Sequence, residues 1–334
     1  MPNLLDPAIL FFVFGVLAGT VKSNLEIPPQ ISRFLSLYLL MALGLKGGFS
    51  LAQSGLTTEV ATTLGLAVLL AALIPAISYQ LLKRRLGGFD AAAISATYGS
   101  VSAVTFIATV QYLESHGTAF GGHMAAAMAL MESPAIIMAV LFANSLRQPS
   151  SVIVSGGGTL ALRASVGAGA PIRLGKILHE SFTDGAQLLL LGAMVIGMVT
   201  GEAGAAVMAP FSTDLFKGML AFFLLDMGLM AARNLGELRG KPLWLLAYAV
   251  LAPLVHAALA LALAVATGVS AGNGALLMVL AASASYIAVP AVLRHAIPEA
   301  QPALYFGMSL GITFPFNIVV GIPLYVGIAQ RVLG

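Results

Sequence analysis

The sequence contains no cysteine, and charged residues make up only 9% of its 334 positions. The lack of cysteine excludes disulfide bonds, thiolate catalysis and cysteine-ligated metals. A soluble domain carries roughly 25% charged residues, whereas this chain is 59% hydrophobic with a mean hydropathy of +0.97. No soluble fold could hide so much apolar surface from water. The composition therefore indicates a protein that lies in a lipid bilayer.

Apolar runs of helical length divide the chain. They fall at residues 7–21, 31–51, 60–82, 91–113, 119–146, 181–201, 213–232, 242–268, 273–295 and 302–332. A membrane crossing needs about 20 residues, so we predict an all-α membrane protein of about ten transmembrane helices. The stretch 147–176 tolerates polar residues and contains three consecutive glycines. We predict that it is a mobile cytoplasmic linker between a first five-helix unit at 1–146 and a second at 177–334.

The basic residues follow the positive-inside rule. If the N-terminus is outside, thirteen of the sixteen lysines and arginines fall in inside loops. Only Lys217 and Arg331 then fall outside, and Lys46 lies within a helix. We therefore attribute the net charge of +3 to membrane topology and not to nucleic-acid binding. The pattern predicts a multi-pass protein of the bacterial inner membrane with a periplasmic N-terminus.

Weak internal similarity links the two five-helix units, which would have opposite orientations because five is odd. Three stretches of the first unit resemble stretches of the second, in the same order and at offsets of 180 to 184 residues. The pairs are 43–45 with 227–229, 99–102 with 282–285, and 128–134 with 308–315. The pattern predicts an inverted repeat, which is common in secondary transporters.

Predicted helices four and nine each carry hydroxyl side chains and a helix-weakening residue in the middle of an apolar run. A helix that unwinds within a membrane frees amide groups that a bound substrate can satisfy. The N-terminal end of the next half-helix favours an anion. We predict a substrate-binding site for a small anion, with ordinary close packing of helices as the alternative. The residues concerned are Gly99, Ser100, Ser102 and Thr105 in helix four and Ser283, Ser285 and Tyr286 in helix nine.

Charged residues inside the predicted helices are few, and each is costly in a bilayer. We predict that Glu132 helps to bind a cation or a proton, together with Thr313 and Asn317 of helix ten. Lys46 and Asp226 lie in repeat-related helices and are predicted to pair with each other. The sequence contains no motif of a metal site, a phosphate loop or an intramembrane hydrolase. It therefore predicts neither an enzyme nor a metalloprotein.

Five stretches carry a resemblance that extends over nearly the whole chain. They lie at 40–48, 132–144, 227–239, 252–256 and 322–330, with Gly-Glu-Leu-Arg at 236–239 and Ile-Pro-Leu at 322–324. In these stretches the chain resembles the SbtA family of sodium-dependent bicarbonate transporters. The resemblance implies two inverted five-helix repeats, with a bicarbonate and sodium site at breaks in helices four and nine. It also implies a homotrimer, regulation by a cytoplasmic PII-like protein, and Na⁺ as the coupling ion with no other cofactor.

Several positions near the expected site depart from the pattern of that family. Ala103 and Val104 replace a glycine and a serine, and Tyr286 and Met230 replace two carboxylates. A phenol is uncharged at neutral pH and is a poorer ligand for a hard cation than a carboxylate. We therefore expect weaker sodium dependence than is usual in the family. Two alternatives stay open: transport of another small anion with a different coupling ion, and a non-transporting membrane receptor for a PII-like protein.

Overall fold

The structure is a computed structural model that describes residues 6–55, 57–147, 185–238 and 240–334. Helices, turns and loops account for these residues, and the described part of the chain contains no strand. The predicted linker at 147–176 lies outside the described residues apart from its first position. The helices are α1 (Pro7–Thr20), α2 (Pro29–Ser54), α3 (Thr58–Leu82), α4 (Gly88–Gly99), α5 (Ala103–Ser115), α6 (Met124–Arg147), α7 (Gly185–Ala209), α8 (Phe216–Leu235), α9 (Leu243–Thr267), α10 (Ala271–Ala282), α11 (Ala288–Ala296) and α12 (Pro302–Leu333).

Local sequence signals set the starts of these helices. The Asp6 carboxylate accepts a hydrogen bond from Ala8 N at 2.8 Å and caps α1, and the hydroxyl of Thr57 caps α3 in the same way. Proline occupies the first position of α1, α2 and α12, where a missing N–H costs nothing. Helix α12 contains two π-helical turns, at Ser309–Thr313 and Asn317–Gly321, which flank Pro315.

Seven helical segments of the described chain are long and apolar enough to cross a membrane. Helices α1 and α10 are also apolar but shorter. The outer faces carry large exposed hydrophobic side chains, such as Phe14, Val199 and Leu243, which lipid can cover. The chain is thus an all-helical, multi-pass membrane protein. Two of the predicted helices are interrupted, since α4 and α5 divide the fourth and α10 and α11 divide the ninth.

Two close helix crossings form one side of the molecule. Helix α1 packs along α8, and a Cβ atom added to Gly228 would lie only 3.0 Å from Gly15 Cα. Helix α2 packs along α7, and a Cβ atom added to Gly197 would lie 3.0 Å from Gly48 Cα. Glycine lets helix backbones approach this closely in lipid, where packing rather than the hydrophobic effect holds helices together. Gly197 follows Gly15 by 182 positions and Gly228 follows Gly48 by 180, so the two crossings match the spacing of the predicted repeat.

A second pair of contacts has the same spacing. The Asn273 side chain accepts a hydrogen bond from Gly121 N through Oδ1 at 2.7 Å. The Asp90 side chain accepts one from Gln301 N through Oδ1, also at 2.7 Å. Asn273 follows Asp90 by 183 positions, and Gln301 follows Gly121 by 180. Each contact ties the first turn of a broken helix in one five-helix unit to the loop before the last helix of the other unit.

The glycine crossings can be tested within a single helix. We expect Gly197→Ala to lower stability by about 1–3 kcal/mol, because the new methyl group has no room beside α2. Gly192→Ala on the same helix is the matched control, since a Cβ there meets nothing within 4 Å. It should be neutral or slightly stabilising, because alanine is the better helix former. Thermal unfolding of both variants in detergent measures the difference. Equal melting temperatures would show that the crossing does not depend on a bare backbone.

Candidate substrate site where two broken helices cross

The first break separates α4 from α5. Gly99, the last residue of α4, lies so close to Pro75 of α3 that an added Cβ would be 2.6 Å from the proline ring. The backbone is extended at Ser100 and at Ser102. The Ser102 Oγ accepts a hydrogen bond from Thr105 N at 3.2 Å. Ser102 is therefore the N-cap of α5, which begins inside the protein and not at its surface.

The second break separates α10 from α11 and has similar chemistry. Helix α10 ends at Ala282, and the backbone is extended at Ser283. The Ser283 hydroxyl donates a hydrogen bond to Leu280 O at 2.9 Å. The Ser285 Oγ accepts one from Val289 N at 3.3 Å. Helix α11 begins after Ile287, so Ser285 is not its N-cap, but in both breaks a serine hydroxyl satisfies an amide near the start of the half-helix.

The two breaks are hydrogen-bonded to each other. Ser102 N donates to Ser283 Oγ at 3.0 Å, and Ser285 N donates to Thr97 O at 2.8 Å. Ser102, Ser283 and Ser285 are exposed by no more than 4%, so their amides have no access to bulk solvent. The crossing therefore brings together the predicted hydroxyl groups of helices four and nine.

The bond from Ser285 N to Thr97 O joins the two breaks directly through their backbones. Among the described residues, the other backbone hydrogen bonds outside the helices join positions no more than five apart. An unpaired amide inside a membrane protein costs several kcal/mol. Each break therefore supplies partners that the other needs.

A cavity of about 250 Å³ lies beside this crossing. Residues 101–104 of the first break and 285–288 of the second form one wall. Helices α2, α6 and α7 form the other walls, and their polar contributions are Ser36, Glu132 and Gln187. The volume is enough for a small ion with some water. Of the predicted substrate residues, Ser102, Ser285 and Tyr286 line this cavity.

The electrostatics of the cavity come mainly from the backbone. No lysine or arginine lines it in the part of the chain that the structure describes, and Glu132 is its one carboxylate there. The first residues of α5 and α11 do line it, so two helix N-termini lie at the cavity. A helix N-terminus carries a partial positive charge, and it binds oxyanions through backbone N–H groups. The wall formed by the breaks thus suits a small anion, and Glu132 on the facing side suits a cation.

Tyr286 occupies the second break, where the resemblance implies a carboxylate. The side chain is 3% exposed, and its ring lies 5.0 Å from the ring of Phe314 in α12, centroid to centroid. The ring fills space between the cavity and α12. The second break consequently lines the cavity with an uncharged aromatic side chain.

The other predicted substrate residues lie behind the cavity wall. Gly99 packs on α3, and the Ser100 hydroxyl donates to Glu132 O at 3.4 Å. Ser283 and Thr105 hold the backbone of the first break through the bonds described above. These residues shape the crossing but do not line the cavity. Their assignment to substrate binding stays a prediction.

The three predicted cation ligands are not brought together at this cavity. The Glu132 Oε2 accepts a hydrogen bond from Gln187 Nε2 at 2.7 Å and faces the cavity. The Thr313 hydroxyl bonds to Tyr98 and to a backbone carbonyl of α9, each at 2.6 Å. The Asn317 amide donates to Ala282 O at 2.8 Å. Thr313 and Asn317 therefore brace the ends of α4 and α10 from the side of α12.

Sequence reasoning missed two polar residues of the cavity. Ser36 lies in α2 and Gln187 in the first turn of α7, and neither belongs to a recognisable motif. A polar side chain in an apolar run was the only available signal. Their role depends on which helices pack against the crossing, and no local pattern in the sequence gives that information.

The predicted pairing of Lys46 with Asp226 is wrong. The Lys46 ammonium pairs with Glu114 of α5 at 2.9 Å, whereas Asp226 lies near Ser32 of α2 and Arg233. Lys46 and Ser32 are fourteen residues apart in α2, which is about 21 Å along the helix axis. The repeat relationship of their helices does not place the two charges at the same depth.

A comparison with known proteins identifies the family of the chain. A family model described as the Na⁺-dependent bicarbonate transporter superfamily matches residues 7–330. No curated protein matches the sequence. The family match covers nearly the whole chain, including both broken helices and all walls of the cavity. The chain belongs to the Na⁺-dependent bicarbonate transporter superfamily.

Proposed function

We propose that the protein is a secondary active transporter that takes up a small anion, bicarbonate, together with sodium. The observation that carries the proposal is the cavity beside two crossed half-helices, with two helix N-termini on one wall and Glu132 on the other. An anion can bind at the helix N-termini while a cation is held between that anion and the carboxylate. Membership of the superfamily supports the same substrate and the same coupling ion.

The proposed architecture is ten transmembrane helices in two inverted five-helix repeats. If α4 with α5 and α10 with α11 each count as one broken crossing, the described helices make ten. The contacts at matching spacing support the repeat, since Asp90 and Asn273 make the same bond in the two halves. Ser102 and Ser285 also support it, because each accepts a hydrogen bond from an amide near the start of the half-helix that follows it. An odd number of crossings per repeat gives the two halves opposite orientations.

The proposed location is the bacterial inner membrane, with the N-terminus in the periplasm. The loops rich in lysine and arginine then lie in the cytoplasm. In this orientation α2 and α5 end on the periplasmic side, and α6 begins there. The cavity beside the crossed breaks is then lined by Ser36 and Leu40 in the cytoplasmic half of α2, and by Met128, Glu132 and Ile136 between the periplasmic end and the middle of α6.

The orientation can be tested by cysteine labelling, because the natural chain has no cysteine. Ser54 at the end of α2 is exposed, and Gly87 before α4 has open space around its Cα. We expect Ser54→Cys to react with a membrane-impermeant thiol reagent added to intact cells. Gly87→Cys should react only after the membrane is permeabilised. The reverse pattern would contradict the proposed orientation.

Uptake of labelled bicarbonate into proteoliposomes tests the proposed function itself. We expect uptake above that of protein-free liposomes, and faster uptake when sodium is high outside. A potassium gradient of the same size is the control for osmotic and electrical effects. Uptake that does not respond to sodium would favour the alternative with a different coupling ion, for which Tyr286 in place of a carboxylate is the structural argument. The absence of uptake under every gradient would overturn the proposal.

Two substitutions at the cavity are expected to change the sodium dependence of uptake in opposite directions. We expect Tyr286→Asp to lower the sodium concentration for half-maximal uptake, because it adds a carboxylate at the cavity. Glu132→Gln should raise that concentration, because it removes the carboxylate that lines the cavity. Adding or removing one charge at the cavity should change the sodium concentration for half-maximal uptake roughly three- to tenfold. Tyr286→Phe keeps the ring and is the matched control. Unchanged sodium dependence in both charge variants would show that the cation binds elsewhere.

Two proposals concern assembly and regulation. We propose a homotrimer and control by a cytoplasmic PII-like protein, on the ground of the family relationship alone. No contact among the described residues bears on either proposal. The alternative of a non-transporting receptor for such a protein would predict binding of the partner without bicarbonate uptake.

A further inference from the structure

A second cavity, of about 300 Å³, lies near the opposite end of α2. Its walls come from the last turns of α2, from α5, and from the loop and first turn of α6. The polar groups that line it are those of Lys46, Ser50, Glu114 and Thr213. The cavity is separate from the one beside the crossed breaks, and none of the substrate or cation residues discussed above lines it.

The two cavities follow one seam through the protein and lie about one helix turn apart. Helix α2 contributes Leu40 to the first cavity and Leu43 to the second. Helix α6 contributes Met128 to the first and Met124 to the second. Positions three or four residues apart are about 5 Å apart along a helix. A single layer of apolar side chains therefore divides the two cavities.

Lys46 is the one cationic side chain at the second cavity among the described residues. Its ammonium lies 2.9 Å and 3.0 Å from the two oxygens of the Glu114 carboxylate. It also lies 4.5 Å from the ring centroid of Phe216, a buried residue that limits where the ammonium can move. Both charged side chains keep partial exposure, at 18% for Lys46 and 31% for Glu114. The ion pair is thus accessible from the cavity.

The geometry of the ion pair shows what Lys46 can bind. A carboxylate and bicarbonate both present, on one planar carbon, two oxygens that share a negative charge, and both accept charge-assisted hydrogen bonds from an ammonium group. The Glu114 carboxylate holds the position that such an anion would take at Lys46. The nearby hydroxyls of Ser50 and Thr213 can donate further hydrogen bonds to it.

We propose that the second cavity is an entry site for small oxyanions, in which Lys46 binds the anion and Glu114 competes with it for the same ammonium. The identity of the anion rests on the proposed function. In the proposed orientation, the second cavity lies between the periplasmic end of α2 and the cavity beside the crossed breaks. An arriving anion displaces the Glu114 carboxylate from Lys46. Removing the competitor should therefore strengthen anion binding, and removing the lysine should weaken it.

Charge-selective labelling tests the site without requiring transport. Ser50→Cys places a thiol in the second cavity of a chain that has no other cysteine. We measure the ratio of its reaction rates with an anionic and a cationic methanethiosulfonate reagent of similar size. We expect Glu114→Gln in this background to raise the ratio roughly three- to tenfold, and Lys46→Gln to lower it by a similar factor. A ratio that neither change moves would overturn the proposal.

Uptake kinetics in proteoliposomes supply the second measurement. The bicarbonate concentration for half-maximal uptake should fall in Glu114→Gln and rise in Lys46→Gln. Lys217→Gln is the matched control. Lys217 is exposed and follows Phe216 at the start of α8, but it does not line the second cavity. A rise of equal size in Lys46→Gln and Glu114→Gln would overturn the proposal and show that the pair only fastens α2 to α5. If the unaltered protein takes up no bicarbonate, the proposed function fails, and the labelling ratio still decides whether the cavity selects anions.

Discussion

The hydrogen bonds between the two helix breaks are the constraint on which the rest of the structure depends. A bilayer offers no water to an unpaired amide, so a helix can open in a membrane protein only where other groups replace its lost bonds. Here Ser102 N is satisfied by Ser283 and Ser285 N by Thr97 O. Each break supplies a hydrogen-bond acceptor for an amide of the other. The cavity and its two helix N-termini are consequences of that mutual dependence.

The position of the cavities follows from a second constraint, which is close helix packing. Helix α1 lies against α8 because neither Gly15 nor Gly228 has a side chain at their contact. Helix α2 lies against α7 in the same way, at Gly48 and Gly197. Helix α2 then presents its other side to α5 and α6, where side chains of different length leave two spaces along one seam. Packing in lipid gains little from apolar burial, so contacts between small residues decide which helices are neighbours.

The two cavities use charge in different ways. Beside the crossed breaks the helix N-termini supply the positive potential, and Glu132 is the carboxylate that lines the cavity. At the second cavity a lysine supplies the charge, but Glu114 already neutralises it. An ion pair of this kind avoids an isolated charge within a helix that crosses the membrane, where such a charge would be costly. It also leaves an ammonium group that another oxyanion can reach.

The sequence by itself determined the class of protein, the number of apolar segments and the two segments that break. The apolar composition indicates that the chain lies in lipid. The helices are weakened at their breaks by local residues, whatever they pack against, and these residues are Gly99, Ser102, Ser283 and Ser285. Tertiary structure alone decided which groups meet. It placed Lys46 beside Glu114, brought Gln187 to the cavity, and turned Thr313 and Asn317 toward the ends of other helices. The physical reason is that local propensity acts within one helix, whereas a polar side chain in lipid takes its partner from whichever helix packing places at the same depth.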